Sequence, residues 1–236
     1  MRELASIAWQ AARLEREAFL RLEGRRSLLA GLALLFAVSL LVASVDAAAW
    51  TRARLEPQAL WASRERLLGD LSELLWRSPL PPDVGPEVTR NLAAWFELQR
   101  QLQALPRPLG RQASVMLQGL GRVVLAPYRR LAVWLPYSLI VFALAKALGG
   151  RASLPQMLGA CAFYVVPHLL QLLRPLPVIG PLAGWVALGW GAAIYVKATA
   201  VTNDLGTPQA LLAAAMPALA ALTVALGALG LALLVW

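Results

Sequence analysis

Apolar positions along this chain change their pattern three times, and each change predicts a different kind of element. From about Glu3 to Glu23, Leu4, Ile7, Ala8, Ala11, Leu14, Ala18 and Leu22 recur at spacings of three and four. That is the period of one helix face, while Arg13, Glu17 and Arg21 form i,i+4 pairs on another, and Gly24 supplies a stop. An uncharged run follows from Leu28 to Val45. It is long enough to cross a hydrocarbon core of about 30 Å with little tilt. Residues 46–130 are mixed again, with Glu56-Pro57 opening a helix whose Leu60, Trp61, Leu67, Leu68, Leu71, Leu74 and Leu75 share a side. Prolines between Ser78 and Pro86 break it, and a second helix from about Glu87 to Leu105 carries Val88, Leu92, Trp95, Phe96, Leu102 and Leu105. A third short amphipathic piece, Ser114 to Leu125, leads through Pro127 into the apolar remainder.

From Leu131 to Trp236 only Lys146, Arg151, Arg174, Lys197 and Asp204 are charged. Short Gly/Pro-containing connections cut this stretch into spans over about Leu131–Leu148, Ala152–Leu173 and Val178–Val196, plus a final one. The last uncharged run, Leu205 to Trp236, would be about 48 Å long as one helix, more than a bilayer requires. An interfacial turn before Met216-Pro217 and a kink there are therefore expected, with Thr207 as N-cap. The fold class is all-α: a polytopic transmembrane bundle of about five spans with amphipathic extramembrane helices. Its parts are a cytoplasmic leader (1–27), a first span (28–45), an extramembrane helical segment, expected non-cytoplasmic (46–130), and a four-span bundle (131–236).

Composition supports this reading. The 236 residues are 59% hydrophobic and 15% charged, too apolar for a soluble domain that must cover itself with polar groups. The net charge of +9 need not mean nucleic acid, because the arginines flank apolar segments where anionic headgroups account for them. Small residues at Ala47 to Ala49 resemble a signal-peptidase site, but the leader is long and acid-containing for a signal sequence, so a retained span is expected. Six leader arginines with Lys146, Arg151 and Lys197 favour a cytoplasmic N-terminus and an outside C-terminus. Twenty arginines against two lysines hint at a GC-rich bacterial genome, hence a bacterial cytoplasmic membrane.

Residues 144–215 carry a pattern of their own. Gly149-Gly150 precedes the third span, Tyr164 and Pro167 lie inside it, Pro177 and Gly180 open the fourth, and Lys197-Ala198 is followed by Pro208-Gln209-Ala210. This resembles the Yip (Ypt/Rab-interacting protein) domain family of five-span membrane proteins. The resemblance implies a cytoplasmic N-terminus and, from the eukaryotic members, a link to vesicle traffic and Rab-type GTPases. Bacterial relatives look like proteins without an established activity. The segment from Asp46 to Leu125 departs from the family by its length.

Candidate chemistry is sparse. His168 and Cys161 are single, and no acidic residue occurs between Glu97 and Asp204, which removes paired carboxylates and an intramembrane proton relay. Catalysis, a cofactor and a metal are not expected. His168, with Gln171 one turn later, is the candidate intramembrane polar site; the alternative is that it serves the carbonyl of Phe163, which Pro167 frees. Lys146, Arg151 and Lys197 are candidate lipid or partner contacts, or snorkelling anchors, and Trp61, Trp76 and Trp95 are amphipathic contact residues. Gly180, Gly184 and Gly191 on the fourth span, and Gly227 and Gly230 on the fifth, are candidate packing positions, within the chain or in a homodimer. The expected role is a non-catalytic membrane organiser, scaffold or accessory subunit, bound to membrane lipids and a protein partner or larger complex. A transporter or channel component with a path near His168 and Gln171 is the alternative.

Overall fold

A computed structural model describes residues 2–21, 25–55, 57–77, 84–104, 109–176 and 179–235. Helices α1 (Arg2–Ala12), α2 (Arg16–Leu20), α3 (Arg25–Leu55), α4 (Pro57–Trp76) and α5 (Val84–Ala104) are followed by α6 (Arg111–Ala147) and α7 (Leu154–Cys161). A 3₁₀ segment (Ala162–Leu173), α8 (Ile179–Asn203) and α9 (Thr207–Val235) complete the order. Among the described residues there is no strand, and five helical stretches are long and apolar enough to cross a membrane: Ser27–Leu55, Gln112–Ala147, Leu154–Leu173, Ile179–Asn203 and Thr207–Gly227. The all-α, five-span expectation stands.

The chain divides into two compact units, 1–46 with 123–236, and 47–122. In the first, α8 is the central element, packed against the 3₁₀ segment, α7, α9 and α2. Its core joins Leu35 and Val38 of α3, Val141 of α6, Met157 of α7, Phe163 of the 3₁₀ segment and Ile194 of α8.

Several boundaries differ from the sequence reading, each for a local reason. The leader is two helices, because Leu14 adopts φ 60° and the Glu15 N–H bonds back to the Gln10 carbonyl at 3.1 Å. That left-handed residue turns the chain so that Ile7, Ala8, Ala11, Ala18 and Phe19 all enter the core. The Trp190 indole N–H then donates to the Ala12 carbonyl at 2.8 Å, an acceptor that the end of α1 would leave without a partner. The leader thus packs on the bundle; Leu4 and Leu22 lie outside the side chains described. Ser114–Leu125 is no separate piece but the first part of the 37-residue α6, which carries Pro127 and Pro136 inside it. Likewise α9 runs unbroken through Pro217, without the expected turn. A proline within a span forfeits a single backbone bond and need not end the helix. Thr207 is the first residue of α9 rather than its cap, and the Gln209 side chain accepts the Gly206 N–H at 3.1 Å.

The connection between α6 and α7 explains the pair Gly149-Gly150. Gly149 sits at φ 96°, and a Cβ on Gly150 would come within 2.6 Å of Asn203 Oδ1. Asn203 is fully buried, its amide donates to the Thr199 carbonyl at 3.1 Å, and its own carbonyl accepts the Arg151 N–H at 3.2 Å. At the end of α8, Asp204 takes φ 55° and the Leu205 N–H reaches the Ala200 carbonyl, closing the helix.

In the second unit, α4 and α5 pair. Arg64 lies over the Phe96 ring, 5.1 Å from its centroid, and donates to Gln99 Oε1 at 2.8 Å. Hydrogen bonds from Arg100 and Gln101 hold the Glu97 carboxyl below its ordinary range. Trp50 lies under both Arg54 and Arg122, and Gly119 abuts Thr51.

Candidate functional site

The third span supplies the site its geometry. Ser153 and Pro155 start α7, but after Cys161 the backbone tightens into twelve residues of 3₁₀ helix, an uncommon length. In an i→i+3 ladder Pro167 leaves the Tyr164 carbonyl unbonded, not that of Phe163. The Tyr164 oxygen and the His168 ring both press on α8 at Gly191, where an added Cβ would sit 2.8 Å from the oxygen and 3.2 Å from His168 Cε1. Only a glycine leaves room for both. Tyr164 meets His168 and Tyr195 edge to face, at centroid distances of 5.5 and 6.3 Å, and Tyr195 meets Tyr137 at 5.5 Å.

These side chains wall a cavity of about 740 Å³ between α6, the 3₁₀ segment, α8 and α9. Its polar lining comes from Arg129, Arg130, Trp134, Tyr137, Tyr164, His168 and Tyr195, and the rest is Ala, Val, Leu and Gly. Two of the phenols are engaged: Tyr137 donates to the Ala214 carbonyl of α9, and Tyr195 to Ser138 Oγ at 3.0 Å. By contrast Arg130 Nη1, Trp134 Nε1 and His168 Nδ1 are buried without a hydrogen-bond partner. Among the described residues no carboxylate lines the cavity.

The other sequence-derived candidates fall elsewhere. Gln171 borders a different hollow with Gly180 and Gly184, next to Arg174, whose Nη1 meets Asp46 Oδ2 at 2.8 Å. His168 and Gln171 therefore do not form one site. Gly180 and Gly191 are close approaches, to the Arg174 carbonyl and to Tyr164, whereas a Cβ on Gly184 or Gly227 would meet nothing within 4 Å; Gly230 lies outside the surroundings described. Lys146 lies 5.5 Å from the Phe142 ring in the last turn of α6, and the Arg151 backbone joins the end of α8. Lys197 is two turns before that end, so the backbone brings these three residues to one end of the bundle. Trp76 and Trp95 are exposed on α4 and α5, and the Trp61 side chain is outside those described. Cys161 is buried with Sγ 3.6 Å from Thr199 Oγ1. Among the described residues no three His, Cys, Asp or Glu side chains converge as metal ligands.

Sequence reasoning missed Arg130 and Trp134. Their i,i+4 spacing on a span was the available signal, and it was masked because Arg129-Arg130 reads as a headgroup anchor. It also missed Gly31 and Gly159, where α3 and α7 cross: a Cβ on Gly31 would lie 2.6 Å from the Gly159 carbonyl.

Among protein families, the model of the Yip1 domain matches residues 12–229, nearly the whole chain. No curated protein and no solved structure matches it.

Proposed function

The chain belongs to the Yip1 domain family of membrane proteins, and from that premise we propose that it is a non-catalytic membrane organiser, scaffold or accessory subunit that acts by binding a protein partner. In this reading it sits in a bacterial cell membrane with its N-terminus cytoplasmic and its C-terminus outside. The observation that carries the reading is the unused apolar surface of the α4–α5 pair. On α5, Val88, Trp95 and Leu102 are exposed at seven-residue spacing, and on α4 Leu67 and Leu74 are too. Residues seven apart lie on one face of a helix, and such stripes are what a partner helix packs against. The pair buries Leu68, Leu71 and Leu75 only in part, so the two helices leave apolar surface for another chain to cover.

The test is purification of the tagged chain from its native membrane, with and without residues 57–105. A partner held at constant stoichiometry by the full chain and lost by the deletion supports the reading; an unchanged set of companions rejects it. The transport reading draws on the cavity beside His168. Flux into liposomes that disappears in His168→Ala would favour it over the organiser role.

A further inference from the structure

The cavity beside α6 carries more than the organiser reading uses. Arg130 and Trp134 are one turn apart on the same face of α6 and both line it. Trp134 is 4% exposed and His168 8%, yet the indole N–H and the imidazole Nδ1 have no partner, nor has Arg130 Nη1. An unpaired buried donor is costly, the more so on a charged group, so these atoms describe a place where something is to be bound. Two of the three are obligate donors, one of them cationic. They call for an oxyanion. Among the described residues that line the cavity none is acidic, and the nearby Asp46 is held by Arg174.

The remainder of the cavity fixes what the oxyanion is attached to. Alanines 126, 192, 214, 215 and 218 line it, and Val133, Leu188 and Leu211 are exposed apolar side chains at its mouth, on spans where the surrounding medium is hydrocarbon. Arg130 lies sixteen residues before Lys146 in α6, about 24 Å along the axis, so the cation stands near the opposite membrane interface from Lys146. That is headgroup depth. A volume of about 740 Å³ is within the range of about 300–1,000 Å³ typical of ligand sites.

We propose that this cavity binds a single anionic amphiphile, its phosphate or carboxylate held by Arg130 and the Trp134 indole N–H and its hydrocarbon chain laid along the alanine-lined wall. His168 faces the same end and supplies a further polar contact. Gly191, by admitting the His168 ring, sets how deep the chain can reach. The site is separate from the lysines and Arg151 at the other end of the bundle.

The experiment is native mass spectrometry of the full chain in neutral detergent, titrated in parallel with phosphatidylglycerol, oleate, an uncharged diacylglycerol and inorganic phosphate. One phosphatidylglycerol or oleate should be retained per chain, and the tighter of the two identifies a phosphate or a carboxylate source. Diacylglycerol and inorganic phosphate should not be retained, since each lacks half of the recognised chemistry. Arg130→Gln should weaken binding about tenfold or more, and Trp134→Phe several-fold. Ala192→Phe, at an exposed position on the wall, should abolish it by filling the space, and it leaves the buried polar atoms intact. Retention of diacylglycerol as firm as that of the anionic lipid, or binding unchanged in a monodisperse Ala192→Phe protein, would overturn the proposal.

Discussion

Adding one methyl group at Gly159 tests whether α3 and α7 are held by backbone contact. Its Cβ would fall 2.7 Å from the Ser27 carbonyl carbon and 2.8 Å from both Ser27 oxygens. Ordinary contact begins near 3.4 Å, so the helices must separate by about 0.7 Å (3.4 minus 2.7). The obstacle is main chain and cannot rotate away. Forcing such a gap into a packed interior costs about 1–3 kcal/mol, and the helix propensity gained over glycine returns at most about 1 kcal/mol. Gly159→Ala should therefore lose about 1–2 kcal/mol, roughly a tenfold drop in the folded-to-unfolded ratio. Gly184→Ala is the internal control. Nothing lies within 4 Å of its added carbon, so only the propensity term acts and stability should stay level or rise by up to about 1 kcal/mol. Reversible unfolding in mixed micelles by increasing SDS, followed by circular dichroism, measures both. Equal stability of Gly159→Ala and the parent, or an equal loss at Gly184, would refute the crossing as described.

Other outcomes follow from single contacts. Tyr195→Phe removes the donor to the fully buried Ser138 and should cost about 1–3 kcal/mol in the same assay. Trp190→Phe breaks the bond to the Ala12 carbonyl, so trypsin should cut at Arg13, Arg16 or Arg21 several-fold faster while the bundle resists. Cys161 is fully buried, and its thiol should react with maleimide only after SDS unfolding; rapid labelling in mild detergent would contradict the packing of the 3₁₀ segment. The double-mutant cycle Asp46→Ala with Arg174→Ala should give a coupling under about 1 kcal/mol, because both side chains are about half exposed and water screens the pair.

Span number and helix type were legible because hydrocarbon thickness sets a length that uncharged runs must meet, and 28–45 and 131–236 meet it in the sequence. The helix ends of α6 and α9 were not. Pro127 and Pro217 read as breaks under rules learned from water, whereas within a membrane the missing bond is tolerated and the helix continues. The leader was legible as amphipathic, but its division at Leu14 was not, since a leucine in the left-handed region carries no local signature. The cavity was half visible: His168 stood out as a polar residue in a span, while its partners Arg130 and Trp134 are brought to it by tertiary packing. Gln171, three residues on, drew attention by sequence proximity and faces a different hollow. Of the glycines singled out for their shared face on the fourth span, Gly180 and Gly191 lie at close approaches and Gly184 does not; Gly31 and Gly159 depend on which spans cross, which no single-helix pattern records.

The claim that a protein partner covers the stripes on α4 and α5 is tested most directly by photo-crosslinking from those stripes in native membranes. A photoreactive amino acid at position 74, where Leu74 is 67% exposed, or at position 95, where Trp95 is 52% exposed, should trap one and the same protein. The exposed Arg90 position on the same helix as Trp95 should trap it far less. No adduct from positions 74 and 95, or equal yields from all three, would contradict the account.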